Sequence, residues 1–275
     1  MNPIFLAPTS LPNTSVHDMI DAAAFAGFDG VGLRVLSPPS RPDPLTSFVG
    51  DPRAIFEIKH KLADSGLAVL DIYTFYLTET FDYGRFARTM DCGAELGARH
   101  AVVVGRDPDL TRASETFQRI CELAAQRGMT AALEFAPHRK PSTLEEAIGF
   151  LDACGCDNAA MMPDPAHLFG SGGKLADLGK IDRRYLLFTQ FCGVVLGREE
   201  FQPQIGRTAP VVERRPPGEG SLRLAAWLSM LPDGIPISIE CPPLPESRAP
   251  QEWARELRRL CREELITYWM ERQAK

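Results

Sequence analysis

The sequence predicts an α/β protein that folds as a (β/α)8 TIM barrel, a single domain over residues 1–275. Short apolar runs alternate with longer amphipathic stretches eight times, which is the pattern of βα units in a parallel sheet. With 275 residues, 44% of them apolar, the chain can bury one sizeable core. Closure into a barrel removes the sheet edges, whereas a doubly wound open sheet is the structural alternative. No Gly-x-Gly-x-x-Gly motif follows the first strand, which disfavours the dinucleotide-binding form of that alternative.

The strands are predicted where short apolar runs occur, at 3–7, 30–35, 68–76, 100–105, 130–136, 158–163, 186–192 and 236–241. Helices are predicted in the amphipathic stretches between and after them, at 15–26, 51–65, 84–96, 110–127, 143–153, 174–180, 220–230 and 250–272. Thr14 is interpreted as the cap of the first helix. Ser142, with Glu145 at capping-box spacing, predicts the start of the fifth helix.

Two connections are long enough to act as lids. Loop 36–50 is rich in Pro and Ser, and loop 193–219 carries Arg198, Arg207, Arg214, Arg215 and a Pro-Pro-Gly-Glu-Gly run. They follow the second and seventh strands, so both are expected at the C-terminal mouth of the barrel, where TIM barrel enzymes place their active sites.

Composition narrows the class of partner. The net charge of -6 provides no basic field for nucleic acid. The chain has no run of 18 apolar residues and no N-terminal export signal, so we expect a cytoplasmic protein with a small-molecule partner and no membrane. The seven cysteines are odd in number and scattered, which indicates reduced thiols.

Four predicted strands end in a side chain able to hold a metal: Glu134, Asp164, Gln190 and Glu240. An acidic residue that ends an apolar strand is costly if it is buried alone, so it is normally exposed, paired or bound to a cation. One such residue would be an ordinary strand end. Four at equivalent positions on consecutive strands predict a divalent ion at one half of the mouth.

The segments LEFAP around Glu134, DPAH from Asp164 to His167, and ISIECP around Glu240 resemble the xylose isomerase-like barrel family over essentially the whole chain. That family includes sugar isomerases and epimerases, inosose and dehydroshikimate dehydratases and endonuclease IV-type enzymes. The resemblance implies that Glu134, Asp164 and Glu240 are metal ligands, and that the two glutamates serve as bases on opposite faces of an epimerised carbon. Gln190 stands where the family usually has a histidine.

Three carboxylates and an amide oxygen favour Mn²⁺, our first choice, or Mg²⁺ or Co²⁺ over Zn²⁺, which prefers His and Cys. A glutamine at this position is similar to some bacterial dehydroshikimate dehydratases, and the Arg-Pro-Pro-Gly-Glu-Gly run resembles the same branch. We therefore expect a metal-dependent isomerase or epimerase acting through an enediolate, with a dehydratase as the alternative. His167 is the candidate acid/base group for either reaction, although a structural loop histidine is the ordinary alternative.

Six further side chains are candidates for substrate binding: Arg34, Arg106, Arg214, Arg215, Glu79 and His138. The arginines follow predicted strands or lie in the long loop, and each could instead form an ordinary salt bridge. Glu79 could pair with His167, although a surface carboxylate is the ordinary interpretation, and His138 could line the pocket or be an ordinary loop histidine.

A second class of function stays open, a barrel that binds a ligand without turnover. The endonuclease branch is disfavoured because its zinc cluster needs several histidines and this chain has five in all. Helix 250–272 carries enough apolar residues for both the barrel and a partner, so a homo-oligomer is possible.

Overall fold

The computed structural model describes residues 2–36, 43–203, 205–241 and 248–273. Eight parallel strands form one curled sheet: β1 (Ile4–Leu6), β2 (Gly30–Arg34), β3 (Ala68–Leu77), β4 (His100–Gly105), β5 (Thr130–Glu134), β6 (Ala159–Met161), β7 (Thr189–Phe191) and β10 (Ile237–Ile239). Their order around the sheet is β6-β5-β4-β3-β2-β1-β10-β7. This order follows the chain from β1 to β6, as the alternation of βα units predicts.

The two ends of the sheet meet, which closes the barrel. A parallel bridge joins Met161 of β6 to Leu186 just before β7. The amide of Gln190 in β7 donates a 3.0 Å hydrogen bond to the carbonyl of Pro163, just after β6. The predicted (β/α)8 TIM barrel is therefore confirmed, and the open-sheet alternative is not what forms.

The helices are α1 (Val16–Ala26), α2 (Pro52–Asp64), α3 (Tyr83–Glu95), α4 (Leu110–Ala125), α5 (Leu144–Cys154), α6 (Pro165–Gly170), α7 (Leu224–Leu228) and α8 (Pro250–Gln273). Both predicted caps are wrong by one residue. Ser15, not Thr14, accepts a backbone hydrogen bond at the start of α1. At the start of α5 the cap is Thr143, not Ser142, because the side chain of Thr143 accepts a hydrogen bond from the amide of Glu146. The carboxylate that reaches back is that of Glu146, which accepts a hydrogen bond from the amide of Ser142.

Apolar side chains fill the barrel in two layers. The larger layer packs the helices against the outside of the sheet. The smaller layer fills the inside of the barrel, with Phe5, Leu70, Val102, Val104, Ala132, Ala160, Met162 and Phe188. This interior layer is a packed floor on which the polar strand ends stand. All seven cysteines are free thiols, as expected.

The prediction of a loop at 193–219 is largely wrong, because this segment contains an antiparallel hairpin of β8 (Gly193–Gln202) and β9 (Arg207–Arg215). The sequence also failed to indicate α6, and the predicted helix 174–180 is a 3-10 helix over Leu175–Lys180. In loop 36–50, a short 3-10 helix spans Pro44–Thr46, and residues 37–42 lie outside the described part of the chain.

Helix α8 covers the barrel with Trp253, Leu257, Leu265 and Tyr268, all buried. Met270 near its end is 66% exposed, and the possible homo-oligomer stays a prediction. None of the helices in the described ranges is both long and apolar enough to cross a membrane.

Candidate active site

The four polar strand ends predicted from the sequence lie at the same end of the barrel and are buried. Glu134 is the last residue of β5, and Gln190 is the middle residue of β7. Asp164 begins α6 rather than ending β6, and Glu240 follows β10. Because parallel strands present their carboxyl ends at one edge, these side chains point into a shared space.

Asp164 is held from two sides. As the N-cap of α6, with Pro165 at the first helical position, its Oδ1 accepts a 3.0 Å hydrogen bond from the amide of His167. Its Oδ2 accepts a 2.7 Å hydrogen bond from Nη1 of Arg214 on β9. Burial by itself would raise the pKa of Asp164, but Arg214 and His167 outweigh burial and hold it below its usual value. The carboxylate is therefore ionised, and both of its oxygens are engaged.

His167 and Glu134 form a pair, with Nε2 of the histidine 3.1 Å from Oε1 of the glutamate. Burial would lower the pKa of His167, but Asp164 and Glu134 together raise it above its usual value. A protonated imidazole beside a carboxylate can both orient that carboxylate and hand on a proton.

Arg214 extends from β9 into the centre of this cluster. Besides Asp164, its Nη1 lies 3.2 Å from the carbonyl of Glu240 and 3.4 Å from Sγ of Cys192. Its Nη2 lies 3.3 Å from Nε2 of His167. The side chain is 19% exposed, and the nearby carboxylates of Asp164 and Glu240 overcome the effect of burial and keep its pKa high. It is a fixed positive charge at the mouth.

Among the four polar strand ends, two buried oxygens find no hydrogen-bond partner within the part of the chain that the structure describes, Oε1 of Gln190 and Oε2 of Glu240. Burial raises the pKa of Glu240 to about 7, with Glu134 and Asp164 adding to the rise and Arg214 opposing it. Unpaired buried acceptors are costly, so they indicate where a ligand that donates hydrogen bonds would bind.

Three carboxylates and an amide oxygen are donors that suit a divalent ion, and two of the four predicted ligands keep a buried oxygen without a partner. As the side chains are placed, no three His, Cys, Asp or Glu residues in the ranges that the structure describes are grouped closely enough to hold a metal. Of the four predicted ligands, Asp164 has both oxygens bonded and Glu134 is paired with His167, while Gln190 and Glu240 each keep one free oxygen. The predicted four-ligand Mn²⁺ site therefore stays a prediction.

Two of the predicted substrate-binding arginines are engaged away from this cluster. Arg34 forms a 3.3 Å salt bridge with Asp43. Arg106 is exposed and stacks on the ring of Tyr76, with its guanidinium carbon 3.7 Å from the ring centre. The charge of Arg106 nevertheless contributes to a lowered pKa of His138, after the larger effect of burial.

Of the remaining candidates, His138 lies closest to the cluster, with its ring 6.3 Å from that of His167. Arg215 points away from it and forms a 2.8 Å pair with Glu213. Glu79 is exposed, as a surface carboxylate would be, and the contacts of His167 are with Glu134 and Arg214 instead.

A cleft of about 730 Å³ opens beside the cluster. One wall of the cleft is formed by the segment after β5 together with helix α6, and the other by the β8–β9 hairpin. The side chains that line the cleft include His138, His167, Phe201, Val212 and Arg214. A cleft of this size can hold a small molecule. The hairpin wall was not predicted, because the sequence was interpreted as a loop there.

Sequence reasoning also missed Asp71, a buried carboxylate on β3. It occupies the space left by Gly32, where an added Cβ would lie 2.7 Å from its Oδ1. Burial raises its pKa to about 7, and Glu240 and Glu134 add to the rise. The signal was present as an acidic residue within the apolar run AVLDIY.

The comparisons with known proteins agree with this fold. The model of a family described as "Xylose isomerase-like TIM barrel" matches residues 20–263. No curated protein matches the chain.

Solved structures share the fold at low identity. A xylose isomerase-like TIM barrel/4-hydroxyphenylpyruvate dioxygenase fusion protein is 19% identical with a TM-score of 0.76, and the match covers 99% of this chain but 44% of the fusion protein, less than half its length. The IolI protein, solved with a zinc atom bound, is 17% identical with a TM-score of 0.74, over 97% of this chain and 99% of that one. The probable 3-DHS dehydratase AsbF from Bacillus anthracis is 16% identical with a TM-score of 0.71, over 95% and 99%.

Proposed function

The chain belongs to the xylose isomerase-like TIM barrel family, and on that premise we propose that it is an isomerase or epimerase acting on a small polyhydroxylated carbonyl compound. The observation that carries the proposal is the contact of Glu134 with His167 beside the cleft, next to the fixed charge of Arg214. A base, an acid and a cation within hydrogen-bonding reach of one another are what enolisation requires.

In the proposed reaction, Glu134 takes the proton from the carbon next to the carbonyl. The electron pair of the C–H bond forms a C=C bond with the carbonyl carbon, and the π pair of the carbonyl moves onto its oxygen, which gives an enediolate. His167 donates a proton towards that oxygen, and the guanidinium of Arg214 stabilises the negative charge that develops there. Return of the proton to the former carbonyl carbon, with loss of the proton from the hydroxyl on the neighbouring carbon to form the new carbonyl, gives the isomer.

Epimerisation needs a second acid/base group, and Glu240 is available for it. Its Oε2 is buried without a partner, and its backbone carbonyl is already held by Arg214. The free oxygens of Glu240 and Gln190 are acceptors, so they suit a ligand that carries several hydroxyl groups. This is the reason for assigning a polyhydroxylated substrate.

A divalent ion bound by Glu134, Asp164, Gln190 and Glu240 would polarise the carbonyl in the same reaction. The steps of the reaction are assigned to side chains of this protein and none to the ion. A dehydratase is the second candidate, since removal of the same proton followed by loss of a β-hydroxyl as water gives dehydration. Its support is the unpartnered carboxyl of Glu240, which could protonate the leaving hydroxyl.

The test is solvent deuterium exchange into a panel of hydroxyketones, ketoses and 3-dehydroshikimate, followed by mass spectrometry and NMR of the products. We expect exchange with wild type, and a loss of about 10²–10⁴-fold in Glu134→Gln and His167→Asn. His60→Asn, an exposed residue on α2, is the matched control and should keep full activity.

The products distinguish the candidates. Exchange with a change of configuration or a moved carbonyl supports the isomerase, whereas release of water supports the dehydratase. Absence of exchange across the whole panel would contradict both and favour a barrel that binds a ligand without turnover.

A further inference from the structure

We propose that the substrate carries an uncharged apolar group, such as an aromatic ring, attached to its hydroxyl-bearing part, and that the β8–β9 hairpin binds this group. The proposal rests on the proposed function, because it names the substrate class of the same site. It is carried by the shape and the chemistry of the cleft that begins at Arg214 and His167 and continues along the hairpin.

The first step is the length of the cleft. Both Arg214 and Phe201 line it. Phe201 pairs across the hairpin with Thr208, which precedes Arg214 by six residues on β9. At about 3.3 Å per residue, the cleft therefore extends roughly 20 Å along the strand. With its volume of about 730 Å³, it has the size of a site for a drug-sized molecule, and a single sugar ring would fill only the part next to Arg214.

The second step is the apolar surface of the part of the cleft that lies away from Arg214. Phe201, Pro203, Pro210 and Val211 line it there. Phe201 is 64% exposed and Val211 is 46% exposed, so both keep apolar surface in contact with solvent. Exposed apolar side chains grouped beside a polar site are typical of a surface that a ligand covers. A simple polyol would gain nothing from them, whereas an apolar group would remove them from water.

The third step is charge. Of the described residues that line the cleft, Arg214 is the only lysine or arginine, and Asp164 already holds its charge. The hairpin adds two carboxylates to the lining, Glu200 and Glu213, each paired with an arginine of its own strand. A phosphate group bound along the hairpin would therefore lie close to two carboxylates. This arrangement disfavours a phosphorylated substrate and favours an uncharged group.

The fourth step is that the hairpin is fixed against the opposite wall. Nη2 of Arg207 on β9 donates a 2.5 Å hydrogen bond to the carbonyl of Ser171, just after α6. The two walls also meet at Gly170, where an added Cβ would lie 3.2 Å from Cγ of Pro137 and 3.7 Å from Cγ2 of Val212. The cleft is thus formed without a ligand, so little ordering of the protein opposes binding to its apolar surface.

The experiment compares probes that differ only in the apolar group. The 4-methylumbelliferyl and methyl glycosides of glucose, galactose, mannose and xylose, together with 4-methylumbelliferone and glucose 6-phosphate, are titrated by calorimetry. The proteins are wild type, Phe201→Ser, Phe201→Leu and the control Phe56→Ser, each checked for folding by circular dichroism. Phe56 is the matched control, because it is a phenylalanine of similar exposure, 57%, that lies on α2 and does not line the cleft.

We expect at least one 4-methylumbelliferyl glycoside to bind wild type about 10-fold more tightly than its methyl counterpart, and more tightly than 4-methylumbelliferone alone. Phe201→Ser should remove most of this advantage, because the apolar contact is lost, and Phe201→Leu should keep part of it. Phe56→Ser should match wild type. Glucose 6-phosphate should bind no more tightly than methyl glucoside.

Equal affinities of the two glycosides of every sugar, or no measurable binding of any 4-methylumbelliferyl glycoside, would overturn the proposal. So would an undiminished advantage in Phe201→Ser, or binding of 4-methylumbelliferone as tight as that of its glycosides, since the sugar would then play no part. Tightest binding of glucose 6-phosphate would overturn it in favour of a phosphorylated substrate. These affinities are measured without turnover, so a negative exchange panel would sink the proposed function and leave the binding of the apolar group to be decided by the titrations.

Discussion

Acid should destabilise the protein through His100, the first residue of β4. The ring is buried inside the barrel, its Nδ1 lies 2.6 Å from Oγ1 of Thr130, and it stacks on Phe188 with 4.5 Å between ring centres. Burial, aided by the charge of Arg99, lowers the pKa of His100 from 6.5 to about 4. The folded protein therefore holds this imidazole neutral over a pH range in which the unfolded chain protonates it.

The sign follows from the two pKa values. Above about pH 6.5 both states are neutral, and His100 adds no pH dependence to the free energy of unfolding. As the pH falls from 6.5 towards about 4, the unfolded chain gains a proton that the folded chain excludes, so stability decreases and then levels off. At 1.36 kcal/mol per pH unit, the loss from this residue is about 3 kcal/mol.

The assay is urea unfolding at a series of pH values for wild type and His100→Asn, whose amide can replace Nδ1 as the partner of Thr130. Other groups titrate in the same range, so the difference between the two proteins is the measured quantity. We expect the stability of the variant to fall less steeply between about pH 6.5 and about pH 4, by up to about 3 kcal/mol. Equal pH dependence in both proteins would refute the reasoning.

Three further outcomes are expected. Glu134→Gln should lower the rate of proton exchange by about 10²–10⁴-fold with little change in circular dichroism, whereas Glu145→Gln on the surface of α5 should not; equal rates would exclude a role for Glu134 as base. Gly32→Ala should lower the free energy of unfolding by about 1–3 kcal/mol in urea titrations, because the new methyl group crowds Asp71; an unchanged value would show that the carboxylate moves aside at no cost. Phe201→Ser, at a side chain 64% exposed, should change stability by less than about 0.5 kcal/mol but raise KM, and an unchanged KM would remove the hairpin from the substrate wall.

The barrel could be predicted from the sequence because its strands are buried on both faces and so appear as continuous apolar runs. The hairpin could not. Most of β8 is exposed, so no single face selects apolar residues at every second position. Its residues therefore have the composition of a loop, although backbone pairing makes them a two-stranded ribbon.

The same distinction applies to the candidate site. Residues at strand ends, such as Glu134 and Gln190, could be placed near each other because parallel strands bring their ends together. The bond between Asp164 and Arg214 joins residues 50 positions apart, and it depends on the register of the hairpin. No local pattern encodes that register, so the sequence indicated an arginine near the mouth without indicating which carboxylate it would meet.

The balance of charge connects the residues that the sequence indicated with those that it missed. Asp164 neutralises Arg214, and His167 with its raised pKa balances one further carboxylate. Two more carboxyl groups, Asp71 and Glu240, are buried nearby, and burial raises the pKa of each to about 7. The single charge of Arg214 is held by Asp164 and only partly offsets the effect of burial on Glu240, so protonation of Asp71 and Glu240 is favoured near neutral pH. The raised pKa values of Asp71 and Glu240 and the central position of Arg214 thus have one cause, the burial of several carboxyl groups around a single fixed cation. The carboxyl groups that balance charge in this site are therefore also the ones available for proton transfer.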